Sequence, residues 1–134
     1  MIVPGDGLHV LDSSGWIEWL SGGPGAAHFG PLIAVPDQMI VPAITIYETL
    51  RWALAKADAD RTQRLAVRMQ LSRVVDLDVN LAVAAANFAH QGKMGMADSM
   101  IYATAQRFGA ELWTQDADFE GLPGVRYFPK LSGP

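Results

Sequence analysis

Leu11-Asp12-Ser13-Ser14, Ile46-Tyr47-Glu48, Met96-Ala97-Asp98-Ser99 and Trp113-Thr114-Gln115-Asp116-Ala117-Asp118-Phe119 each place a carboxylate where a strand or loop feeds a helix. The four segments are far apart in the chain, yet a parallel α/β fold can gather them at one edge of its sheet. Crowded carboxylates repel one another unless positive charge sits between them, and hard divalent cations with oxygen ligands meet that need. The pattern predicts a site for Mg²⁺ or Mn²⁺. Such sites commonly cut phosphodiesters, with one or two cations polarising the phosphate, lowering the pKa of a water and stabilising the leaving oxygen.

Each acid also has an ordinary structural reading. Asp12 is a good helix N-cap, although Ser13 and Ser14 offer the same capping chemistry. Thr45-Ile46-Tyr47-Glu48 fits a capping box, whereas Pro42 argues that the helix begins earlier and carries Glu48 inside it. Asp98 can cap the helix that follows the Gly92–Gly95 loop, or be stabilised near its N-terminus. Asp-x-Asp, as in Asp116 and Asp118, is common in turns. Position does not decide between cap and ligand, because both lie at the carboxyl ends of parallel strands. The number of acids that can converge favours the metal site.

Other chemistries fit poorly. His9, His28 and His90 have no mutual spacing suited to a metal. Ser13 and Ser14 have no evident histidine base. Gly22, Gly23 and Gly25 lack the lysine and hydroxyl residue of a phosphate-binding loop.

The elements that must position the acids follow from periodicity. Leu8–Leu11 reads as a strand and Ser13–Leu20 as a helix broken by Gly22-Gly23-Pro24-Gly25. Met39–Val41 is a second strand, stopped by Pro42. A helix then runs to about Lys56, with Ile46, Leu50 and Leu54 at four-residue spacing. Asp60 is placed to cap a third helix, with Leu65, Met69 and Val67 inward and Arg61, Arg64 and Arg68 outward. Val74-Val75 is a strand. Val79–His90 is alanine-rich and apolar nearly all round, which predicts a well-buried helix. Ala97–Phe108 is helical, closed by Gly109, and Glu111–Thr114 and Val125–Phe128 are the last strands. Strands alternating with helices imply a parallel sheet in one α/β domain spanning residues 1–134. Met1–Gly7 and Leu131–Pro134 read as loose ends.

At 134 residues, half of them hydrophobic, the chain has material for one core. No apolar run approaches the roughly 20 residues needed to span a bilayer, so no membrane association is expected. The first ten residues lack the pattern of a signal peptide. The absence of cysteine excludes disulfides, zinc–thiolate sites and a cysteine nucleophile, and it suits a reducing cytoplasm. The net charge of −4 disfavours a nucleic-acid binder at first sight. Setting aside Asp12, Glu48, Asp98, Asp116 and Asp118 leaves nine acids against ten bases, or +1. With those five neutralised by cations, the rest of the surface tolerates an RNA partner.

The segments Leu11-Asp12-Ser13-Ser14-Gly15-Trp16-Ile17-Glu18, Ala97-Asp98-Ser99-Met100-Ile101-Tyr102-Ala103-Thr104-Ala105 and Thr114-Gln115-Asp116-Ala117-Asp118-Phe119-Glu120-Gly121-Leu122-Pro123-Gly124-Val125 resemble those of PIN-domain ribonucleases. Within that family they are similar to the VapC-type toxins of prokaryotic toxin–antitoxin pairs. The likeness runs from about Leu8 to Pro129 and is loosest around Glu48. It implies a three-layer α/β/α domain with a short parallel sheet. It also implies a Mg²⁺- or Mn²⁺-dependent endoribonuclease held inactive by a cognate antitoxin. The family's acids fall on Asp12, Glu48, Asp98 and Asp116, with Asp118 accessory and Ser13 and Thr114 supporting. Arg51 and Lys93 are candidates for phosphate contacts, set against a plain role as solvated surface charge. The resemblance further implies a homodimer, for which Trp16, Trp19, Trp52 and the Val79–His90 helix offer apolar surface. The antitoxin is expected to cover the groove beside the acids, with apolar residues on Trp16, Trp19 or Trp52 and a basic side chain near Asp12 and Asp98. A non-catalytic binding module and a small-molecule phosphoesterase are the alternatives.

Overall fold

The sheet grows outward from its first strand. In the computed structural model, which describes residues 5 and 7–132, β1 (His9–Leu11) is flanked by β2 (Met39–Pro42) and β4 (Glu111–Thr114). Beyond these lie β3 (Arg73–Val75) and β5 (Val125–Tyr127). All five strands are parallel, in the order β3-β2-β1-β4-β5. The chain builds β1, β2 and β3 in one direction, then returns to lay β4 on the other side of β1. Loops at the carboxyl ends of β1 and β4 therefore diverge, and a crevice opens between them.

Alternation along the strands divides the core. Leu11, Met39, Val41 and Trp113 face one layer with Trp16, Phe29, Leu32, Leu65 and Met69, contributed by α1 (Ser13–Ser21), α2 (Ala26–Ile33) and α4 (Ala59–Met69). Val10, Ile40 and Leu112 face the other layer with Ile101, Tyr102 and Ala105 of α6 (Met96–Arg107), behind which α5 (Val79–Gly92) packs. α3 (Ala43–Lys56) contributes Ala53 to the first cluster and Ile44 to the second. The expected three-layer α/β/α architecture is the observed one.

Several local expectations need correction. α2 was not predicted, since no element is expected between Gly25 and Met39; the helix carries Pro31 within it. It forms because Phe29, Leu32 and Ile33 are buried; each such side chain contributes about 1.5–3 kcal/mol, enough to offset a lost helical hydrogen bond. α4 is capped by Asp58, whose carboxylate accepts from the Arg61 N–H at 2.7 Å. Asp60 lies inside the first turn and pairs with Arg64 instead. Val67 faces outward, while Leu65 and Met69 point in as expected. α5 is not buried all round: Leu81 and Ala85 point in, but Val79 is 78% and Val83 58% exposed. Its alanine-rich composition hid an ordinary one-sided helix. Trp16 is fully inside the core and offers no surface to a partner. Of the ends read as loose, Met1–Pro4, Asp6 and Gly133–Pro134 lie outside the described residues.

Candidate metal centre

Asp12 follows β1 directly and is the N-cap of α1, accepting from the Gly15 N–H at 3.1 Å. It is thus a cap and a site residue at once. Its own N–H bonds to the Trp113 carbonyl, extending the β1–β4 ladder by one step and bringing it beside Thr114. Thr114, fully buried, donates its hydroxyl to Asp12 Oδ2 at 2.7 Å and accepts from the Asp116 N–H at 2.9 Å. One threonine therefore joins the ends of the two central strands. Ser14 donates to both Asp12 oxygens, at 2.8 and 3.0 Å. The sequence singled out Ser13 as the supporting serine, but its hydroxyl goes elsewhere, to Glu48 Oε1 at 2.5 Å. The two consecutive serines fix one acid each.

Glu48 lies in the second turn of α3, whose N-cap is Pro42, so the capping-box reading fails. Asp98 lies in the first turn of α6, with Gly95 as the cap. Asp116 caps the short 3₁₀ turn Ala117–Phe119 by accepting from the Asp118 N–H at 2.9 Å. That turn swings Asp118 back toward Asp98. Carboxylate oxygens of Asp98, Asp116 and Asp118 all lie within 4.8 Å of one another. Asp12 and Glu48 are not members of this trio but are near enough to feel it: Asp116 repels Asp12, and Glu48 repels Asp98.

The electrostatics follow from this crowding. Burial pushes the Asp12 carboxyl up to about 7 despite three hydrogen bonds that favour its anion, and Asp116 adds repulsion. Asp98 is raised to about 6, first by burial and then by Asp116, Glu48 and Asp118. Among the described residues, no ion pair reaches any of these five acids. The donors are all hard oxygens and no ion pair among the described residues offsets their charge, so the set fits Mg²⁺ or Mn²⁺ and suits zinc or copper poorly.

Glu18 went unnoticed in the sequence. It is buried, its carboxylate accepts from the Gly25 N–H at 2.8 Å, and it fills the space that a side chain at residue 23 or 25 would need. A glutamate at this α1 position followed by Gly-x-Gly was the available signal. Arg51 is exposed and lines the hollow beside Glu48. Lys93 is exposed as the C-cap of α5, in the left-handed region at φ 53°.

A comparison with curated proteins finds no match. Among solved structures, a toxin–antitoxin complex from Klebsiella pneumoniae aligns with a TM-score of 0.75 at 27% identity, over 88% of this chain and 95% of that one. VapC20 of Mycobacterium tuberculosis, a sarcin-ricin loop cleaving toxin, aligns at 0.72 and 15% identity over 85% and 94%. DNA-bound VapBC from Salmonella typhimurium aligns at 0.68 and 23% identity over 91% and 97%. The last two likenesses concern the fold alone. A family model for the PIN domain matches residues 9–125, which cover every acid of the site, and the chain belongs to the PIN domain family.

Proposed function

We propose that this PIN domain is a metal-dependent endoribonuclease and the toxin of a type II toxin–antitoxin pair. The observation that carries the reading is the convergence of Asp98, Asp116 and Asp118, backed by Asp12 and Glu48, at the β1–β4 crevice with no ion pair to any of them among the described residues. A likeness to a toxin–antitoxin complex over nearly the whole chain supports the toxin role.

Asp98, Asp116 and Asp118 would hold the cation, with Asp12 and Glu48 as direct or water-bridged ligands. Bound there, a divalent cation supplies the charge that polarises a phosphate and activates water. The chain's own groups hold the acids in place. Thr114 and Ser14 fix Asp12 through the hydroxyl bonds described above, and Ser13 fixes Glu48. Arg51 and Lys93 are proposed phosphate contacts outside the acidic centre.

A free ribonuclease endangers its host, so a cognate antitoxin is proposed as partner. Trp19 and Trp52 are partly buried and remain as apolar contacts for it, while Trp16 drops out. An antitoxin arginine bonding to Asp12 and Asp98 would compete with the cation. A homodimer is also proposed, using the exposed Val79 and Val83 stripe of α5 with Leu77 beside it. No helix among the described residues is long and apolar enough to cross a membrane, which agrees with the cytoplasmic site of action that the reading implies.

The test is to express the chain briefly, map new ends on total cellular RNA, and repeat the cleavage with purified protein in EDTA, Mg²⁺ and Mn²⁺. Discrete ends that require the cation support the reading. Absence of cleavage in both cations would leave the non-catalytic binding module. Hydrolysis of a small phosphoester in preference to RNA would leave the phosphoesterase.

A further inference from the structure

A hollow of about 440 Å³ opens beside the acids, lined by Ser13, Ile17, Tyr47, Glu48, Arg51, Trp52 and Ala55. Ser13 and Glu48, bonded to each other, are members of both the acidic centre and this hollow, so the two are continuous. α3 supplies most of the wall. Tyr47 and Arg51 are one turn apart at four-residue spacing, as are Glu48 and Trp52, and α1 closes the far side with Ile17. Tyr47 is 59% exposed although it directly precedes the site glutamate. Among the described residues, Arg51 takes part in no ion pair.

An exposed aromatic ring, a free guanidinium one turn further on and an indole, all opening onto a phosphodiester-cutting centre, form the combination that grips single-stranded nucleic acid. Aromatic faces stack on bases whatever their identity, and arginine takes the phosphate between them. The antitoxin proposed above would share Trp52 and so exclude the strand, but an apolar protein segment would make no use of Arg51.

We infer that Tyr47, Arg51 and Trp52 cradle the unpaired nucleotide next to the scissile phosphate, its base stacked in the hollow on Tyr47 and its outer phosphate held by Arg51. This rests on the ribonuclease reading and adds to it where the substrate strand lies and why it must be unpaired there. A base engaged in a duplex has no free face to offer the ring. Tyr47 and Arg51 are then positioning residues that act on binding, not on the cleavage step.

The experiment uses the full chain, with Tyr47→Ala, Tyr47→Phe and Arg51→Ala compared with the unmodified protein on a short single-stranded oligoribonucleotide in Mg²⁺. Tyr47→Ala and Arg51→Ala should raise KM roughly tenfold or more, within the range that base stacking and phosphate contacts support, with kcat nearly unchanged. Tyr47→Phe should behave as wild type, because the ring survives. Binding is measured separately, by anisotropy of the labelled strand on an Asp98→Asn background in Mg²⁺. There Tyr47→Ala should weaken the single strand by a similar factor and leave a duplex of the same sequence unaffected. Single-strand binding that depends on Tyr47, with no cleavage by the unmodified protein, would uphold the cradle and sink the nuclease. Cleavage with a KM indifferent to Tyr47→Ala would sink the cradle alone. So would Tyr47→Phe being as damaged as Tyr47→Ala, or an inactive background that binds no single strand. If Tyr47→Ala instead changes the molecular mass in light scattering, the face belongs to a second copy of the chain and the cradle is wrong.

Discussion

Lowering the pH should stabilise the metal-free protein, against the usual behaviour of a domain whose carboxylates are paired. Asp12 is the reason. Its folded pKa is raised from 3.8 to about 7 by burial, so the native state binds a proton that the unfolded chain releases. Stability is then fully present below the unfolded value and is lost as pH rises through about 7. A rise of that size corresponds to about 4 kcal/mol when the acid is fully ionised. Between pH 8 and pH 5.5, Asp12 alone is worth about 2 kcal/mol, or roughly 6–12 °C in Tm for a domain of this length. Asp98, raised to about 6, acts in the same direction but more weakly, because water screens its partly exposed carboxylate. The assay is thermal unfolding in EDTA at both pH values, repeated in saturating Mg²⁺. The cation binds the ionised acids, so it should raise Tm most at pH 8 and flatten the pH dependence. Asp12→Asn should flatten the metal-free profile as well, since the amide carries no charge to bury. A Tm in EDTA that falls or holds steady from pH 8 to pH 5.5, with Asp12→Asn following the same curve, would refute the reasoning.

Asp98→Asn should abolish RNA cleavage while leaving circular dichroism and Tm at or above the wild-type level, because it relieves repulsion among Asp98, Asp116, Asp118 and Glu48; wild-type cleavage in Mg²⁺ would remove Asp98 from the site. Thr114→Val should cost both activity and about 1–3 kcal/mol of stability, as it removes one of three donors to the buried Asp12 carboxylate and leaves the Asp116 N–H without its acceptor; denaturant unfolding and a cleavage assay together check this, and unchanged stability would show that the strand-end link is idle. Phe29→Ala should destabilise by about 3–5 kcal/mol, since the ring is fully buried against Phe128; a loss below 1 kcal/mol in urea melts would mean that α2 is not part of the core. Val83→Glu should convert the proposed homodimer to a monomer in light scattering without altering the far-UV spectrum, and a dimer that survives it must use another face.

The sequence by itself determined what depends on local pattern. The alternation of apolar strands with periodic helices, and the acids at strand ends, were legible because side-chain periodicity and breakers act over a few residues. So were the inward Leu65 and Met69 and the outward Arg61, Arg64 and Arg68. Glu48 could be read as a cap or as an internal residue until the observed start of α3 at Ala43 decided it. Other features depended on where distant segments meet. α2 exists only because Phe29, Leu32 and Ile33 find the core, a gain that no window containing Gly30 and Pro31 reveals. α5 shows one inward edge because it packs chiefly on α6, with Val75 of β3 beside it; composition gives a helix's apolar content but not how many of its sides are covered. The division of labour between Ser13 and Ser14 is tertiary on one side only. Ser14 bonds to Asp12, two residues back, whereas Ser13 meets Glu48, 35 residues away, because α3 packs on α1. The return of the chain across the sheet puts β4 against β1, and that crossing brings four scattered acidic segments together at one edge, where burial and then neighbouring acids raise the proton affinity of Asp12 and Asp98.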